Sequence, residues 1–378
     1  MEAPFIFGKL ATDDEYTDRQ EEMQLLKNNF TSLINTIIIS PRRWGKSTLV
    51  NRVAESFKKD RKAKTVICRL DIFNCRTEQQ FYNAYANAIL KSTTSAWEEF
   101  VSGVTKYLGK FIPKLTFSDV SQTYEFSFGL ELKDPHLSID EILDLPQKIA
   151  MDTDRKIVVC IDEFQNVHAY PDSLAFQQQL RAHWQLHSKV CYCLYGSKRH
   201  LLMNIFNEYE MPFYRFGDMH FLQKIKREEW VKFITKRFKA TGKHISAALS
   251  GKIADTMQNH PYYVQQYSQQ IWLRTQDECN EKILDEALNG LIDQLSLLFT
   301  NIIDSLKARQ ISFLLAIVDG ETSFTSQETL QKYNLGSSAN VKNLKNALLE
   351  KDIIDIIDSK NIEIQDPVFQ LWIKKRFT

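Results

Sequence analysis

The sequence has few of the residues that interrupt regular structure, with 12 glycines and 9 prolines in 378 residues. It also lacks any apolar run long enough to cross a bilayer as a helix, so no membrane-spanning segment is predicted. No basic segment followed by a long apolar run begins at Met1, and no signal peptide is expected. With 43% hydrophobic and 25% charged residues, the composition is that of a soluble globular protein of two or three domains.

An excess of one charge and paired cysteines are lacking as well. Lysine and arginine total 48 against 47 aspartates and glutamates, a net charge of +1. Overall charge therefore gives no attraction to nucleic acid or to a membrane surface. The six cysteines show no C-x-x-C spacing, and Cys160, Cys191 and Cys193 lie in predicted buried strands, where a free thiol behaves as a small hydrophobe. We expect a reducing, cytoplasmic compartment.

Residues 37–50 form the most informative stretch of the chain. They read as a short apolar strand, a tight loop, and Gly-Lys-Ser at the start of a helix. In a phosphate-binding loop, backbone N–H groups converge on the phosphates at the positive end of a helix. Lys46 would reach the β- and γ-phosphates, and the Ser47 hydroxyl would hold Mg²⁺. The strict pattern has glycine where this chain has Ser40. The predicted nucleotide-binding residues are Pro41, Arg42, Arg43, Trp44, Gly45, Lys46, Ser47 and Thr48.

A second stretch supplies two carboxylates. Five consecutive apolar residues, 157–161, predict a strand buried on both faces of a parallel sheet. The strand ends in Asp162 and Glu163, and alone it would be an ordinary strand before an acidic loop. Downstream of a phosphate-binding loop it is predicted to be a Walker B strand, in which Asp162 holds Mg²⁺ through water and Glu163 polarises the attacking water. No Asn-Lys-x-Asp element occurs, so ATP is favoured over GTP.

The next predicted buried strand, residues 190–197, ends at Ser197. In nucleoside triphosphatases with a catalytic glutamate, the strand beside Walker B commonly ends in a polar residue that senses the γ-phosphate. Ser197 occupies that position and is a candidate catalytic residue. A serine that only caps the loop is an equal alternative.

The order of predicted elements divides the chain into three parts. Residues 1–225 alternate strands with helices, including one helix over 139–151, and residues 100–134 interrupt this order as an insertion with a hairpin strand over 123–132. Residues 226–298 are purely helical and predict a lid, with Pro261 at a first helical turn. Residues 299–378 contain three helices and a small ribbon, the pattern of a separable winged helix. The predicted fold class is α/β, a P-loop NTPase parallel sheet with a helical lid and a C-terminal winged-helix domain.

With these elements in order, the chain resembles the archaeal-type ATPase family, P-loop proteins related to the AAA+ and STAND groups and also found in Bacteroides-like bacteria. The resemblance covers nearly the whole chain, and it implies ATP binding, hydrolysis with Mg²⁺, a helical lid and a winged helix. The first glycine of the loop is often replaced in this family, so Ser40 does not imply an inactive site. The matching segments are residues 7–9, 18–19, 40–47, 161–165, 195–199, 211–215, 260–263 and 366–369.

The same resemblance assigns further residues. The segment 16–19, which ends at Arg19, would pack beside the adenine, and Pro261 would lie near the nucleotide base. Arg181 and Arg215 would each be able to approach a γ-phosphate, within one chain or from a neighbouring chain, and Arg215 is the preferred catalytic candidate. A surface or structural role is the alternative for each arginine.

Two functions fit these observations. The first is a slow, Mg²⁺-dependent ATPase acting as a conformational switch coupled to an unknown protein partner or to self-association. The second is a nucleic-acid-binding regulator in which ATP modulates the winged helix. Residues 296–378 contain ten Lys or Arg and ten Asp or Glu, whereas DNA-binding modules usually show a basic excess. DNA is therefore a less favoured partner. A scaffold with a vestigial site is disfavoured because the lysine, serine and carboxylates are intact.

Overall fold

The computed structural model divides into two compact units, which we call the sheet unit (residues 19–222) and the helical unit (residues 1–18 and 223–378). The structure describes residues 3–9, 18–60, 64–94, 102, 106–107, 112–118, 123–129, 135–356 and 361–377.

The sheet unit is built on a sheet of five parallel strands, and a separate antiparallel pair, β3 and β4, lies in the predicted insertion. The described strands of this unit are, in chain order, β1 (Thr36–Ile39), β2 (Thr65–Asp71), β3 (Ile112–Ser118), β4 (Thr123–Gly129), β5 (Lys156–Asp162), β6 (Val190–Gly196) and β7 (Asp218–Phe221). The sheet has the order β2-β5-β6-β1-β7, and each neighbouring pair is parallel. This confirms the predicted parallel sheet. Because all strands run the same way, the carboxyl ends of β1, β5 and β6 lie at one edge.

Helices cover both faces of this sheet. Along β5, Ile157, Val159 and Ile161 belong to one buried cluster, while Val158 and Cys160 belong to another on the opposite face. This alternation is the two-residue period of a strand between two helical layers. The helices are α1 (Gln20–Thr31), α2 (Lys46–Lys59), α3 (Glu78–Thr93), α4 (Pro135–Leu143), α5 (Leu145–Thr153), α6 (Ser173–Trp184) and α7 (Arg199–Asn207), with a 3₁₀ helix at Phe164–Ala169.

The single helix predicted over 139–151 was wrong. The structure has two helices there, α4 and α5, separated at Asp144. Pro146 is in the first turn of α5, where its missing N–H costs nothing. Inside one continuous helix the same proline would remove a hydrogen bond and clash with the preceding turn. The proline therefore begins a new helix.

The predicted insertion contains an antiparallel pair, β3 and β4. Ile112 lies opposite Gly129 and Ser118 lies opposite Thr123. The hairpin prediction is confirmed for the backbone of these strands. Residues 130–132 and the predicted one-sided exposure of the strand lie outside the described part of the insertion.

The helical unit contains the predicted lid and winged helix. Phe5 is also buried in this unit and its ring lies 5.8 Å from that of Phe238. The last helix, α15, and the full length of α11 were not predicted. The elements are α8 (Arg227–Ala240), α9 (Ala247–Thr256), α10 (Pro261–Arg274), α11 (Glu281–Asp304), α12 (Ala308–Val318), α13 (Gln327–Lys332), α14 (Ser338–Glu350), β8 (Ile354–Ile356), β9 (Ile362–Ile364) and α15 (Pro367–Phe377).

Helix α15 packs against the C-terminal half of α11. The ring of Phe299 lies 5.2 Å from that of Phe369 and 5.8 Å from that of Trp372. The Trp372 Nε1 donates to the Ser296 hydroxyl at 3.0 Å. The predicted boundary between residues 298 and 299 falls inside α11. The limits of the lid and the winged helix stay a prediction.

These contacts predict how a fragment should fold. Residues 300–378 should unfold cooperatively, but a fragment of residues 281–378 should have the higher urea midpoint. The longer fragment keeps Phe299, which is buried, and burying a phenylalanine is worth about 3–5 kcal/mol against alanine. Circular dichroism of both fragments, with Phe299→Ala in the longer one as control, checks this. Equal midpoints would mean that α11 adds nothing to the winged helix.

Buried thiols were also predicted. All six cysteines are buried free thiols, and Cys160, Cys191 and Cys193 lie in β5 and β6 as expected. Within the described ranges, none of the helices combines the length and the apolar character that crossing a bilayer requires.

Candidate functional site

The loop between β1 and α2 has the backbone that the sequence predicts. Arg43 and Gly45 adopt left-handed conformations with φ of 65° and 90°. Among the described residues other than its two chain neighbours, no atom lies within 4 Å of where a Cβ on Gly45 would be, so this glycine serves conformation rather than space. No described side chain caps the first turn of α2. Its N–H groups and the positive end of the helix dipole therefore face the loop.

Lys46 points back into this loop. Its side chain is buried, and Nζ donates to the carbonyl oxygens of Ser40 and Pro41, both at 3.0 Å. Burial lowers the pKa of Lys46 to about 8, although the charges of Glu163 and Asp162 oppose the shift. The ammonium is therefore poorly solvated, and a bound anion would stabilise its charged form.

Ser47 and Asp162 are brought together from distant parts of the chain. The Ser47 hydroxyl donates to Asp162 Oδ2 at 2.6 Å. Burial raises the pKa of Asp162 to about 6, the bond from Ser47 opposes this, and the charge of Glu163 adds to it. Mg²⁺ takes oxygen ligands, usually one or two carboxylates together with phosphates. The Ser47 hydroxyl and the Asp162 carboxylate, which lie this close together, are therefore suitable ligands for Mg²⁺.

Glu163 lies beside this pair in a left-handed conformation, with φ of 56°. Its N–H donates to Asp162 Oδ1 at 2.8 Å. Its Oε2 accepts from the Ser197 hydroxyl at 2.9 Å and also from Gln165 Nε2. The structure therefore brings the predicted Ser197 to Glu163. Gln165 was not assigned a role from the sequence, and an amide two residues after a carboxylate was the signal that could have identified it.

Arg19 lies against the phosphate-binding loop. It is buried, its Nη1 pairs with Glu22 Oε1 at 2.8 Å, and its Nη2 donates to the Trp44 carbonyl at 3.5 Å. No role for Glu22 was predicted from the sequence. Residues 16 and 17 lie outside the described part of the segment, and the contact with adenine stays a prediction.

The other predicted loop residues differ in exposure. Pro41 and Thr48 are buried, Trp44 is half-buried, and Arg42 and Arg43 are exposed. Pro261 is the buried first residue of α10 in the helical unit. Nucleotide contacts of these residues stay predictions.

The two candidate arginines have different surroundings. The Arg181 guanidinium lies 4.8 Å from the centre of the Phe216 ring, and burial lowers its pKa. Arg215 is exposed, has φ of 52°, and lies over the Tyr214 ring at 5.3 Å. Arg181 is thus part of the packing of the sheet unit, whereas Arg215 is on a surface loop.

Two family models match the chain. Residues 44–172 match the KAP family P-loop domain, and residues 297–375 match a probable winged helix domain. No curated protein sequence matches the chain.

Solved structures share the fold. The Walker-type ATPase PABY2304 of Pyrococcus abyssi is similar over 98% of this chain and 99% of that chain, with a TM-score of 0.66 and 17% identity. The ADP form of the ORC2 protein of Aeropyrum pernix is similar over 96% of this chain and 97% of that chain, with a TM-score of 0.51 and 14% identity. The predicted resemblance to archaeal P-loop ATPases and the predicted fold class are confirmed. The chain has a P-loop NTPase sheet and a C-terminal winged helix.

Proposed function

We propose that this protein binds ATP with Mg²⁺ and hydrolyses it slowly, as a conformational switch coupled to a partner. The observation that carries the proposal is the 2.6 Å contact between the Ser47 hydroxyl and Asp162 Oδ2. It joins the end of the phosphate-binding loop to the carboxylate strand across 115 residues of sequence. Lys46 and Glu163 flank this contact, so the groups that phosphoryl transfer needs lie in one place.

Each side chain has a defined task in this mechanism. Lys46 places a positive charge on the β- and γ-phosphates, and the N–H groups at the start of α2 donate to their oxygens. Ser47 and Asp162 would hold Mg²⁺, which when bound neutralises charge on the phosphates. Glu163 orients the attacking water and accepts its proton. Ser197 donates to Glu163 and would sense the γ-phosphate through this bond.

The exposed Arg215 supports slow hydrolysis and coupling to a partner. Among the described residues no carboxylate pairs with it, and its guanidinium rests only on Tyr214. An arginine supplied from a neighbour accelerates phosphoryl transfer by about 10³–10⁵-fold. A chain that offers its arginine to a second copy would therefore be a slow enzyme alone.

The strand order, with β6 between β1 and β5, supports placement with the AAA+ and STAND groups.

Binding and phosphate release test the proposal directly. We expect calorimetry to show binding of ATP that is stronger with Mg²⁺ than with EDTA, and weaker binding of GTP. Phosphate release per chain should rise with protein concentration if self-association completes the site. Failure to bind MgATP under any of these conditions would contradict the proposal.

The alternative, a nucleic-acid-binding regulator, depends on the cations of the winged helix. Lys345 lies 5.3 Å from the centre of the Phe324 ring, and burial lowers its pKa. Lys375 donates to Asn289 at 3.0 Å, and Arg376 lies over the Trp372 ring at 5.1 Å. Lys342 is exposed on α14, and residues 374–376 are exposed on α15. Lys345, Lys375 and Arg376 thus each contact another side chain of the helical unit.

We therefore expect weak binding to duplex DNA. Few phosphates would be neutralised, and each contact that releases a counterion steepens the salt dependence. Fluorescence anisotropy of a labelled duplex, with residues 281–378 and with the full chain at about 150 mM salt, should show no saturation in the micromolar range. Lys342→Ala should change this little. Sub-micromolar binding would place the regulator first.

A further inference from the structure

Gln165 is the second residue after Glu163 and belongs to the 3₁₀ helix at Phe164–Ala169. Its side chain is buried, with 2% of its surface exposed. Its Nε2 donates to Glu163 Oε2, the same oxygen that accepts from the Ser197 hydroxyl. Two neutral donors from different parts of the chain thus hold one oxygen of the carboxylate, and no hydrogen bond from the described residues reaches the other oxygen.

Packing alone does not explain an amide at this position. Gln165 Oε1 is buried and has no hydrogen-bond partner among the described residues. An unsatisfied buried carbonyl is unfavourable, and an apolar side chain of the same size would avoid it. The amide is therefore present at a cost, and the one hydrogen bond that it makes to the described residues goes to Glu163.

Gly196 provides the space for this amide. A Cβ at residue 196 would lie 1.8 Å from Gln165 Oε1. Gly196 is not among the residues with positive φ, so its conformation does not demand glycine. Its lack of a side chain serves the path of Gln165 to Glu163, at the carboxyl end of β6 directly before Ser197.

We propose that Gln165 is a positioning residue for hydrolysis, which fixes the orientation of the Glu163 carboxylate. This inference rests on the proposed ATPase function. Without the amide, the carboxylate would keep one donor, Ser197, and would rotate among several rotamers. Fewer of these would direct the free oxygen to the attacking water, so kcat should fall while nucleotide binding stays the same.

Gln165→Leu removes the donor and keeps the volume. We expect kcat for ATP to fall by about 10- to 100-fold, the usual range for a lost hydrogen bond to a charged group. KM should change by no more than about twofold, because among the described residues the Gln165 side chain donates to Glu163 and forms no hydrogen bond with the loop of residues 40–46. Gln177→Leu is the matched control. Gln177 is also fully buried, also has an unpaired Oε1, and bonds to Ser173 instead, so its kcat should not change.

A double mutant separates positioning from general damage. In the Glu163→Gln background the carboxylate is already gone, so adding Gln165→Leu should not lower the residual rate further. An equal loss in both backgrounds would make Gln165 merely structural and overturn the proposal. An unchanged or higher kcat in the single variant would overturn it as well.

Gly196→Ala displaces the amide without changing Gln165, and it also serves if Gln165→Leu fails to fold. We expect a fall in kcat like that of Gln165→Leu. In the double variant Gln165→Ala/Gly196→Ala, kcat should not recover, and the change at Gly196 should add no further loss to that of Gln165→Ala. An additive loss would overturn the inference. Wild-type protein that binds MgATP without any phosphate release would refute the proposed hydrolysis itself, and the positioning role with it.

Discussion

Replacing Lys46 with alanine should abolish MgATP binding. The lysine carries the positive charge closest to the β- and γ-phosphates in the proposed complex. Among the described residues this charge has only the carbonyl oxygens of Ser40 and Pro41 as hydrogen-bond partners. A triphosphate would replace these dipoles by full negative charges, so most of the gain on binding should come from this one side chain. Calorimetry with MgATP measures the effect.

The fold itself should not suffer from this substitution. Burial is the main reason why the pKa of Lys46 is lowered to about 8, whereas a lysine in the unfolded chain has a pKa of about 10.4. A group whose pKa is lower when folded makes the protonated folded state less stable at every pH below 8. At pH 7 the alanine variant loses this cost together with two hydrogen bonds. We therefore expect a melting temperature no lower than that of the wild type.

Lys58 provides the control for Lys46. It lies on the same helix, α2, and is exposed in the last turn. Lys58→Ala should bind MgATP like the wild type. Equal affinity of Lys46→Ala and the wild type would show that the loop does not cradle the phosphates, whatever the melting temperatures are.

Much of the sheet unit could be predicted because its signals are local. The run of apolar residues 157–161 is typical of a doubly covered strand whatever lies elsewhere, and Gly45 with Lys46 and Ser47 specifies a turn and a helix start within a few residues. Parallel strands then force the ends of β1, β5 and β6 to one edge, so Ser47, Asp162 and Ser197 follow from topology. This is why the candidate site could be outlined before the structure.

Features that depend on distant residues could not be predicted. Helix α15 has no clear amphipathic period that would predict it from the sequence. Its Phe369 and Trp372 pack against Phe299 of α11, a contact that the sequence of α15 alone does not indicate. The position of the Gln165 amide depends on the space left by Gly196, and Arg19 donates a hydrogen bond to the Trp44 carbonyl. Each contact joins elements whose spacing in sequence says nothing of their distance in space.

Glu163→Gln should keep MgATP binding and lower turnover sharply. The amide has the shape of the carboxylate, and its carbonyl oxygen can still accept from Ser197 and Gln165. It cannot accept a proton from water, and general-base catalysis is typically worth about 10²–10⁴-fold. The loss should therefore appear in kcat, measured by phosphate release.

Binding should survive because the lost charge has opposite effects on its two neighbours. The charge of Glu163 raises the pKa of Asp162, so its removal leaves Asp162 more fully ionised and favours a bound cation. The same charge raises the pKa of Lys46, so its removal disfavours the ammonium. These changes offset each other, and the affinity for MgATP should stay within a few-fold of the wild type.

The controls for Glu163 are an exposed glutamate and the adjacent carboxylate. Glu208→Gln, after α7 on the surface, should leave both binding and turnover unchanged. Asp162→Asn should instead weaken binding in Mg²⁺ while leaving binding in EDTA unchanged, because Asp162 is assigned to the cation and not to water. If Glu163→Gln turned over ATP at the wild-type rate, Glu163 would not be the base, and Asp162 would be the first residue to test in its place.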